Sequence, residues 1–301
     1  MRQFFEEMFF APLWYHYIAM VLLFPFSLLY GMLMFFRRLL STKNRFSIPI
    51  ISVGNLQVGG SGKTPFVIAL ASRYEKVFVI SRGYGRESVG LVEVSYKGKI
   101  LVNVRQSGDE AMLMAQSLPT ASVIVSENRT LAIELAMRAG AKLIVLDDGF
   151  SRVEIEKFEI LLEPKCMPNK LTFPAGALRE FYFTSRYADV VCREDTHFKR
   201  VVSFKNLEDK MLLATAISNP SRLTRYLPEG VIGKYYLDDH AYFDENVLKE
   251  TMLQCGAKTL LVTQKDAVKM QDFKLPLSLM QLELEIDSEV FEAVDTYINT
   301  F

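Results

Sequence analysis

The stretch SIPIISVGNLQVGGSGKTP, Ser47–Pro65, decides the fold class. Ser47–Val53 is a short apolar run of β type, Gly54–Gly62 is rich in glycine, and a helical pattern runs from Thr64 to Arg73. A strand, a glycine loop and a helix start, in that order, build an anion cradle. Glycines let backbone N–H groups turn inward, and a helix N-terminus favours negative charge. The pattern places Gly59, Gly60, Ser61, Gly62, Lys63 and Thr64 around nucleotide phosphates, with Lys63 reaching the β/γ oxygens and Thr64 ligating Mg2+. Pro65 falls in the first helical turn, where its missing N–H loses no intrahelical bond. The strict spacing G-x-x-x-x-G-K-[ST] is not met, because Gln57 holds its first position. Gly54, Gly59 and Gly60, with the flanking strand and helix, carry the reading instead.

Outward from the loop, strands and helices alternate. Val77–Ile80, Ser122–Val125 and Lys142–Leu146 read as strands, Glu127–Arg138 reads as a helix, and another helix starts near Gly108. A hairpin is expected over Leu91–Val104. This rhythm predicts an α/β fold of the P-loop NTPase type, a mostly parallel sheet flanked by helices. Asp147 and Asp148 close the Lys142–Leu146 strand, at the sheet edge where a carboxylate can hold Mg2+ opposite a phosphate loop. Phe158–Leu162 and Ala188–Cys192 read as further strands around a polar, turn-rich segment, Pro164–Ser185. Strands at Met211–Thr215 and Thr259–Thr263 and helices near Ser218–Tyr226, Asp244–Cys255 and Ser288–Asn299 predict a smaller C-terminal lobe. The expected division is a membrane helix over residues 1–38, a P-loop core over 39–205 and a C-terminal α/β lobe over 206–301.

Net charge hides an asymmetry. The 301 residues hold 35 basic and 35 acidic side chains. No Asp or Glu occurs between Met8 and Tyr74, where Arg37, Arg38, Lys43, Arg45, Lys63 and Arg73 lie. A basic front and a mildly acidic body fit anionic partners despite overall neutrality. Met8–Phe36 carries no Asp, Glu, Lys or Arg; as a helix, Ile18–Phe36 alone would span roughly 28 Å, close to a hydrocarbon core. Trp14, Tyr15 and Tyr17 form an aromatic belt at one end, and Arg37 and Arg38 close the other, which puts the rest of the chain in the cytoplasm. A helix lying in the membrane interface, kinked at Pro25, is the competing reading. Cys166, Cys192 and Cys255 have no paired or C-x-x-C spacing, as expected of reduced, cytosol-facing thiols. The basic cluster lacks interleaved aromatic platforms, so a nucleic-acid partner is not expected.

Several segments together resemble one family, the tetraacyldisaccharide 4′-kinases. They are VGNLQVGGSGKTP (Val53–Pro65), SRGYGR (Ser81–Arg86), SGDE (Ser107–Glu110), ENR (Glu127–Arg129), LDDGF (Leu146–Phe150), PAGALRE (Pro174–Glu180), DDH (Asp238–His240) and TQKDAVK (Thr263–Lys269). The resemblance implies ATP- and Mg2+-dependent phosphorylation of the 4′-hydroxyl of a tetraacylated glucosamine disaccharide 1-phosphate. That step belongs to lipid A and lipopolysaccharide synthesis, at the cytoplasmic face of the bacterial inner membrane. It implies that Asp109 is the catalytic acid/base, that His240 pairs with it, and that Asp147 and Asp148 lie near Mg2+. The family usually continues DDGF with Gln-His, where this chain has Ser151-Arg152, and its T-E-K-D is here Thr263-Gln264-Lys265-Asp266.

Phosphoryl transfer to a sugar hydroxyl needs positioned phosphates and a group that takes the hydroxyl proton. Asp109 also reads as an ordinary helix cap ahead of EAMLMA, and His240 as a surface histidine in an acidic turn. Arg82, Arg86 and Arg179 are expected at substrate or nucleotide phosphates, and the basic residues after the membrane segment at anionic lipids. The alternative is a membrane-anchored P-loop ATPase or GTPase switch without a lipid acceptor, which needs no Asp109–His240 pair.

Overall fold

The computed structural model describes residues 2–59 and 62–301. Two N-terminal helices, α1 (Arg2–Phe10) and α2 (Trp14–Leu40), precede β1 (Ile50–Gly54), α3 (Lys63–Ala71), β2 (Val77–Ser81), β3 (Val92–Tyr96) and β4 (Lys99–Ile100). Then come α4 (Val104–Ser107), α5 (Asp109–Ser117), β5 (Ser122–Val125), α6 (Arg129–Arg138), β6 (Leu143–Asp147), β7 (Phe158–Glu163) and β8 (Val190–Arg193). The remaining elements are β9 (Phe198–Lys205), β10 (Met211–Thr215), β11 (Val231–Tyr236), α7 (Glu245–Cys255), β12 (Thr259–Thr263), α8 (Gln264–Ala267), β13 (Leu277–Ile286) and α9 (Ser288–Ile298). Contacts divide the chain into two units. The first holds residues 1–67, 136–199 and 286–301; the second holds 68–135 and 200–285.

In the first unit, β6, β1, β7 and β8 pair in parallel in that order. β1 and β6 are buried along their whole length, which is why they read as unbroken apolar runs rather than alternating ones. Register pairs Val53, at the entrance to the glycine loop, with Asp147. From the C-terminus, α9 stacks Tyr297 on Phe158 and directs its hydroxyl to the Ile50 N–H.

Helix α2 packs on this unit along nearly its full length. Its buried residues, His16, Met20, Ser27 and Gly31, recur at helical spacing on one stripe. Met20 joins an apolar cluster with Met8, Phe9, Ala175 and Ala177. Ser27 Oγ accepts from the Ala175 N–H at 2.7 Å, and Thr172 Oγ1 donates to the Ser27 carbonyl at 2.6 Å. Gly31 lies against the Phe181 ring so closely that a Cβ would sit 2.5 Å from it. Phe35 meets Phe183 edge-on, and Arg38 closes the helix on Glu180 and the Phe150 carbonyl. The other faces, including Trp14, Val21, Leu22, Leu29, Leu33 and Leu40, are exposed. By length and composition α2 could cross a membrane.

The second unit contains two sets of paired strands. β2 pairs with β5 in parallel, and β3 and β4 continue antiparallel, the hairpin expected at Leu91–Val104. A five-stranded sheet follows the order β11-β10-β12-β13-β9. Successive residues of β10 point to opposite faces: Leu212 and Ala214 pack under Leu248 and Met252 of α7, while Met211 and Leu213 face Met280. Two of its strands, β10 and β12, stand where the sequence expects them; β9, β11 and β13 do not appear in the sequence reading. Ser218–Tyr226, expected as a helix, is a 3-10 helix over Pro220–Tyr226.

Candidate functional site

Two clusters of charged side chains hold the residues singled out by sequence, one in each unit. The first surrounds the glycine loop. Gly59 and Gly62 have φ of +96° and +80°, conformations that side chains rarely adopt. Gly60 and Ser61 lie outside the described residues. Gly54 approaches Phe150 so closely that a Cβ would meet its backbone nitrogen at 2.9 Å, so the strand end and the LDDGF loop are pressed together. PAGALRE runs beside the ascending arm of the loop: Val58 N–H donates to the Ala177 carbonyl, and Arg179 N–H to the Leu56 carbonyl.

Lys63, the first residue of α3, donates to Asn55 Oδ1 at 2.9 Å and lies 3.5 Å from Asp148 Oδ1. Arg179 Nη1 donates to both Asp148 oxygens, at 2.9 and 2.7 Å. Burial pushes the Asp148 carboxyl up, but Lys63 and Arg179 outweigh it and hold it below the ordinary carboxylate range. Asp148 sits at φ +54°, in left-handed backbone. Asp147, at the end of β6, is buried. Thr64, Asp147 and Asp148 offer a hydroxyl and two carboxylates, hard oxygen donors of the kind Mg2+ takes beside substrate phosphates. Arg179 thus reaches the acidic pair itself. Asn55 has no role in the sequence reading, although it stands inside one of the quoted segments.

The second cluster is centred on Asp109, whose side chain is 3% exposed. Gly108 caps α5 at φ +83°, and a Cβ there would strike the Tyr84 carbonyl at 2.8 Å. Asp109 is therefore the first helical residue rather than the cap. Both its oxygens lie 3.0 Å from His240 Nδ1. A carboxylate only accepts, so Nδ1 is the donor in this pair. His240 Nε2 is 3.6 Å from Asp239 Oδ2, and the side chain is 20% exposed. The residue adopts φ +65°, its N–H donates to the Ala216 carbonyl, and its ring lies 5.1 Å from that of Tyr84. Left-handed backbone at a non-glycine residue costs on the order of 1 kcal/mol and gathers at functional sites.

Two lysines absent from the sequence-derived site complete the cluster. Lys269 Nζ lies 3.3 Å from Asp109 Oδ2, and Lys265 Nζ lies 3.7 Å from the same oxygen. Lys265 also meets Glu110 at 3.3 Å and Asp239 at 3.6 Å. Burial pushes the Asp109 carboxyl up, but the His240 hydrogen bond and the charges of Lys265, His240 and Lys269 bring it down to about 2. Burial alone would lower Lys265; Glu110, Asp109 and Asp239 instead raise it. The signal for both lysines was TQKDAVK, a quoted segment to which no chemistry had been attached.

The remaining arginines divide. Arg82 is exposed. The Arg86 side chain is 3% exposed and is tied to Glu127, at 2.5 Å, and to the Gly90 carbonyl, so it braces the loop after β2. Arg38, expected at anionic lipids, is turned into the protein: it grips Glu180 through two nitrogens and lies 4.5 Å from the Phe150 ring centre. The cause is the docking of α2, which brings its last turn onto Glu180.

Comparison with known proteins agrees with these features. The family model for tetraacyldisaccharide-1-P 4′-kinase, LpxK, matches residues 19–299. A tetraacyldisaccharide 4′-kinase of Helicobacter acinonychis is 48% identical over all of this chain and 96% of its own. Its counterpart in Aliarcobacter butzleri is 45% identical, covering 98% of this chain and 97% of that one. Among solved structures, an LpxK from Aquifex aeolicus in complex with ATP superposes with a TM-score of 0.79 at 28% identity, covering 93% of this chain and 99% of that one. The phosphate loop, the acidic pair and the full-length match together make this chain a member of the tetraacyldisaccharide-1-phosphate 4′-kinase family.

Proposed function

We propose that the protein transfers the γ-phosphoryl group of ATP to the 4′-hydroxyl of a tetraacylated glucosamine disaccharide 1-phosphate, a step of lipid A biosynthesis. The observation that carries the acceptor half of this reading is the Asp109–His240 pair. A nucleotide switch that hydrolyses ATP or GTP has no use for it. Lys63 and the glycine loop bind and orient the triphosphate. Thr64, Asp147 and Asp148 would hold Mg2+, which neutralises phosphate charge when bound. Arg179, already in contact with Asp148, is the arginine best supported as a phosphate neighbour in the first unit. Arg82 is proposed to meet substrate phosphates from the loop that Arg86 braces.

Proton transfer is assigned within the pair. A carboxyl held down to about 2 is a weak base, and its hydrogen-bonded partner is an imidazole. Asp109 therefore fixes the His240 tautomer, and Nε2 takes the proton. The hydroxyl O–H bond breaks toward His240 Nε2, the oxygen bonds to the γ-phosphorus, and ADP leaves with the electrons of the broken P–O bond.

The lipid substrate gives α2 a purpose. Its packing along the first unit supports a helix that lies in the interface of the inner membrane on the cytoplasmic side, with its exposed apolar faces toward acyl chains. Arg37, Lys43 and Arg45 are proposed to meet anionic headgroups. Alkaline carbonate should release the protein from membranes; retention in the pellet would speak for a spanning helix.

The activity is tested with γ-labelled ATP, Mg2+ and acylated disaccharide 1-phosphate in mixed micelles. Label should appear in the lipid fraction. Label found only as inorganic phosphate, unchanged by the lipid, would overturn the kinase reading in favour of the switch.

A further inference from the structure

The activity proposed above attaches no role to the buried ammonium of Lys269. Its side chain is 1% exposed. Removing a cation from water costs several kcal/mol unless its donors are satisfied, so its partners are informative. An ammonium has three N–H donors. Lys269 Nζ donates to the Ala241 carbonyl at 3.2 Å and lies 3.3 Å from Asp109 Oδ2 and 3.8 Å from Asp266 Oδ1. One cation therefore holds the carboxylate of the pair directly and the histidine through the peptide that follows it.

Asp266 is a fixed anchor. It is fully buried and accepts from Thr215 Oγ1 at 2.7 Å, Thr263 Oγ1 at 2.7 Å and the Ala216 N–H at 3.1 Å. The Ala216 carbonyl in turn accepts from the His240 N–H. The end of β10, the start of α8 and the His240 turn thus form one hydrogen-bonded frame with Lys269 at its centre. Lys265 differs: it is 20% exposed and shared among Asp109, Glu110 and Asp239.

We propose that Lys269 is a positioning residue of the proton-accepting pair, fixing Asp109 Oδ2 and the His240 turn and balancing the carboxylate's charge so that the imidazole stays neutral and able to accept a proton. This rests on the reading of His240 as proton acceptor. The charged and titratable groups around the pair include Lys265, Lys269, Asp239, Glu110, Asp266, Tyr84, whose ring packs on that of His240, and Tyr242, whose hydroxyl burial and the Asp109 charge both push up. With Lys269 made neutral, Asp109 loses one of its two lysine partners, and the less balanced carboxylate favours the imidazolium.

The test is the pH dependence of kcat/KM for the lipid in the full-length enzyme. In Lys269→Met and Lys269→Gln the acid limb should move to higher pH by about one unit, with kcat down roughly tenfold or more. Lys269→Arg should return the limb to its wild-type position, because the charge is restored, while kcat stays low, because the guanidinium cannot reproduce the geometry. The position of the limb does not depend on how much of the enzyme is folded, so it separates charge balance from instability. Limbs that superpose on wild type in both neutral variants would overturn the proposal. His240→Ala and Asp109→Asn distinguish the two readings. If both retain near-normal turnover, the proton-acceptor reading itself fails. If they collapse while the lysine variants keep the wild-type limb, only the role of Lys269 fails.

Discussion

The two clusters use the same electrostatic device for different ends. Around Asp148, Lys63 and Arg179 supply the cations; around Asp109, Lys265 and Lys269 do. In both, the neighbours outweigh burial and lower the carboxyl: Lys63 and Arg179 at Asp148, and at Asp109 first the His240 hydrogen bond, then the charges of Lys265, His240 and Lys269. Asp148 remains about one-third exposed and follows a second, buried carboxylate, Asp147. Asp109 is closed off, and the group presented outward is an imidazole nitrogen. Cations favour the ionised carboxylate in both, but only Asp109 shares its oxygens with an imidazole.

This contrast can be broken by experiment. The largest effect is expected from His240→Ala, which should lower turnover by about 10²–10⁴-fold with the KM for ATP nearly unchanged. Lys63→Met should instead weaken ATP binding and turnover together, measured by steady-state kinetics and calorimetry. If the two variants gave the same pattern, the division of labour would be wrong.

A second expectation concerns the join between α2 and the LDDGF loop. Arg38→Ala leaves Glu180, which is 1% exposed, without its bidentate partner. Breaking a buried pair in this way costs about 3–5 kcal/mol. The melting temperature should drop by roughly 6–20 °C, with ATP affinity falling as the loop loosens. A variant that melts like wild type would mean that α2 is not anchored through this residue.

The smallest effect is a pH signature of the second cluster. Asp109 is held at about 2, below the ordinary value near 3.9, so its ionisation stabilises the fold in full above about pH 4. That contribution, about 2 kcal/mol, is lost as pH falls toward 2. The stability gap between wild type and Asp109→Asn in urea melts should therefore shrink over this range. A constant gap would show that the lysines do not favour the ionised form.

Local patterns carried the first unit well. β1, β6 and β7 are buried apolar runs, and the glycine loop needs only its own backbone to be recognised. Much of the C-terminal sheet was invisible for a physical reason. β9, FKRVVSFK, is an edge strand whose buried and exposed residues alternate among lysines and arginines, and β11, VIGKYY, is the opposite edge. Such strands are defined by the partner they pair with rather than by their own hydrophobicity. Arg38 shows the same limit at a single residue: a basic side chain after an apolar helix reads as a headgroup contact until Glu180 is found beside it.

By itself, the sequence determined what is local or cumulative: the phosphate loop, the acidic strand end, the apolar length of α2, and the ordered series of segments that marks the family. Tertiary structure alone decided which stripe of α2 is covered, that Arg179 meets Asp148, and that Lys269 and His240 converge on Asp109. His240 is 131 positions from that carboxylate. No periodicity spans such a distance. The meeting is set by the packing of α8 on α5 and β12, and its value depends on the burial that makes a lone charge costly and a balanced cluster stable.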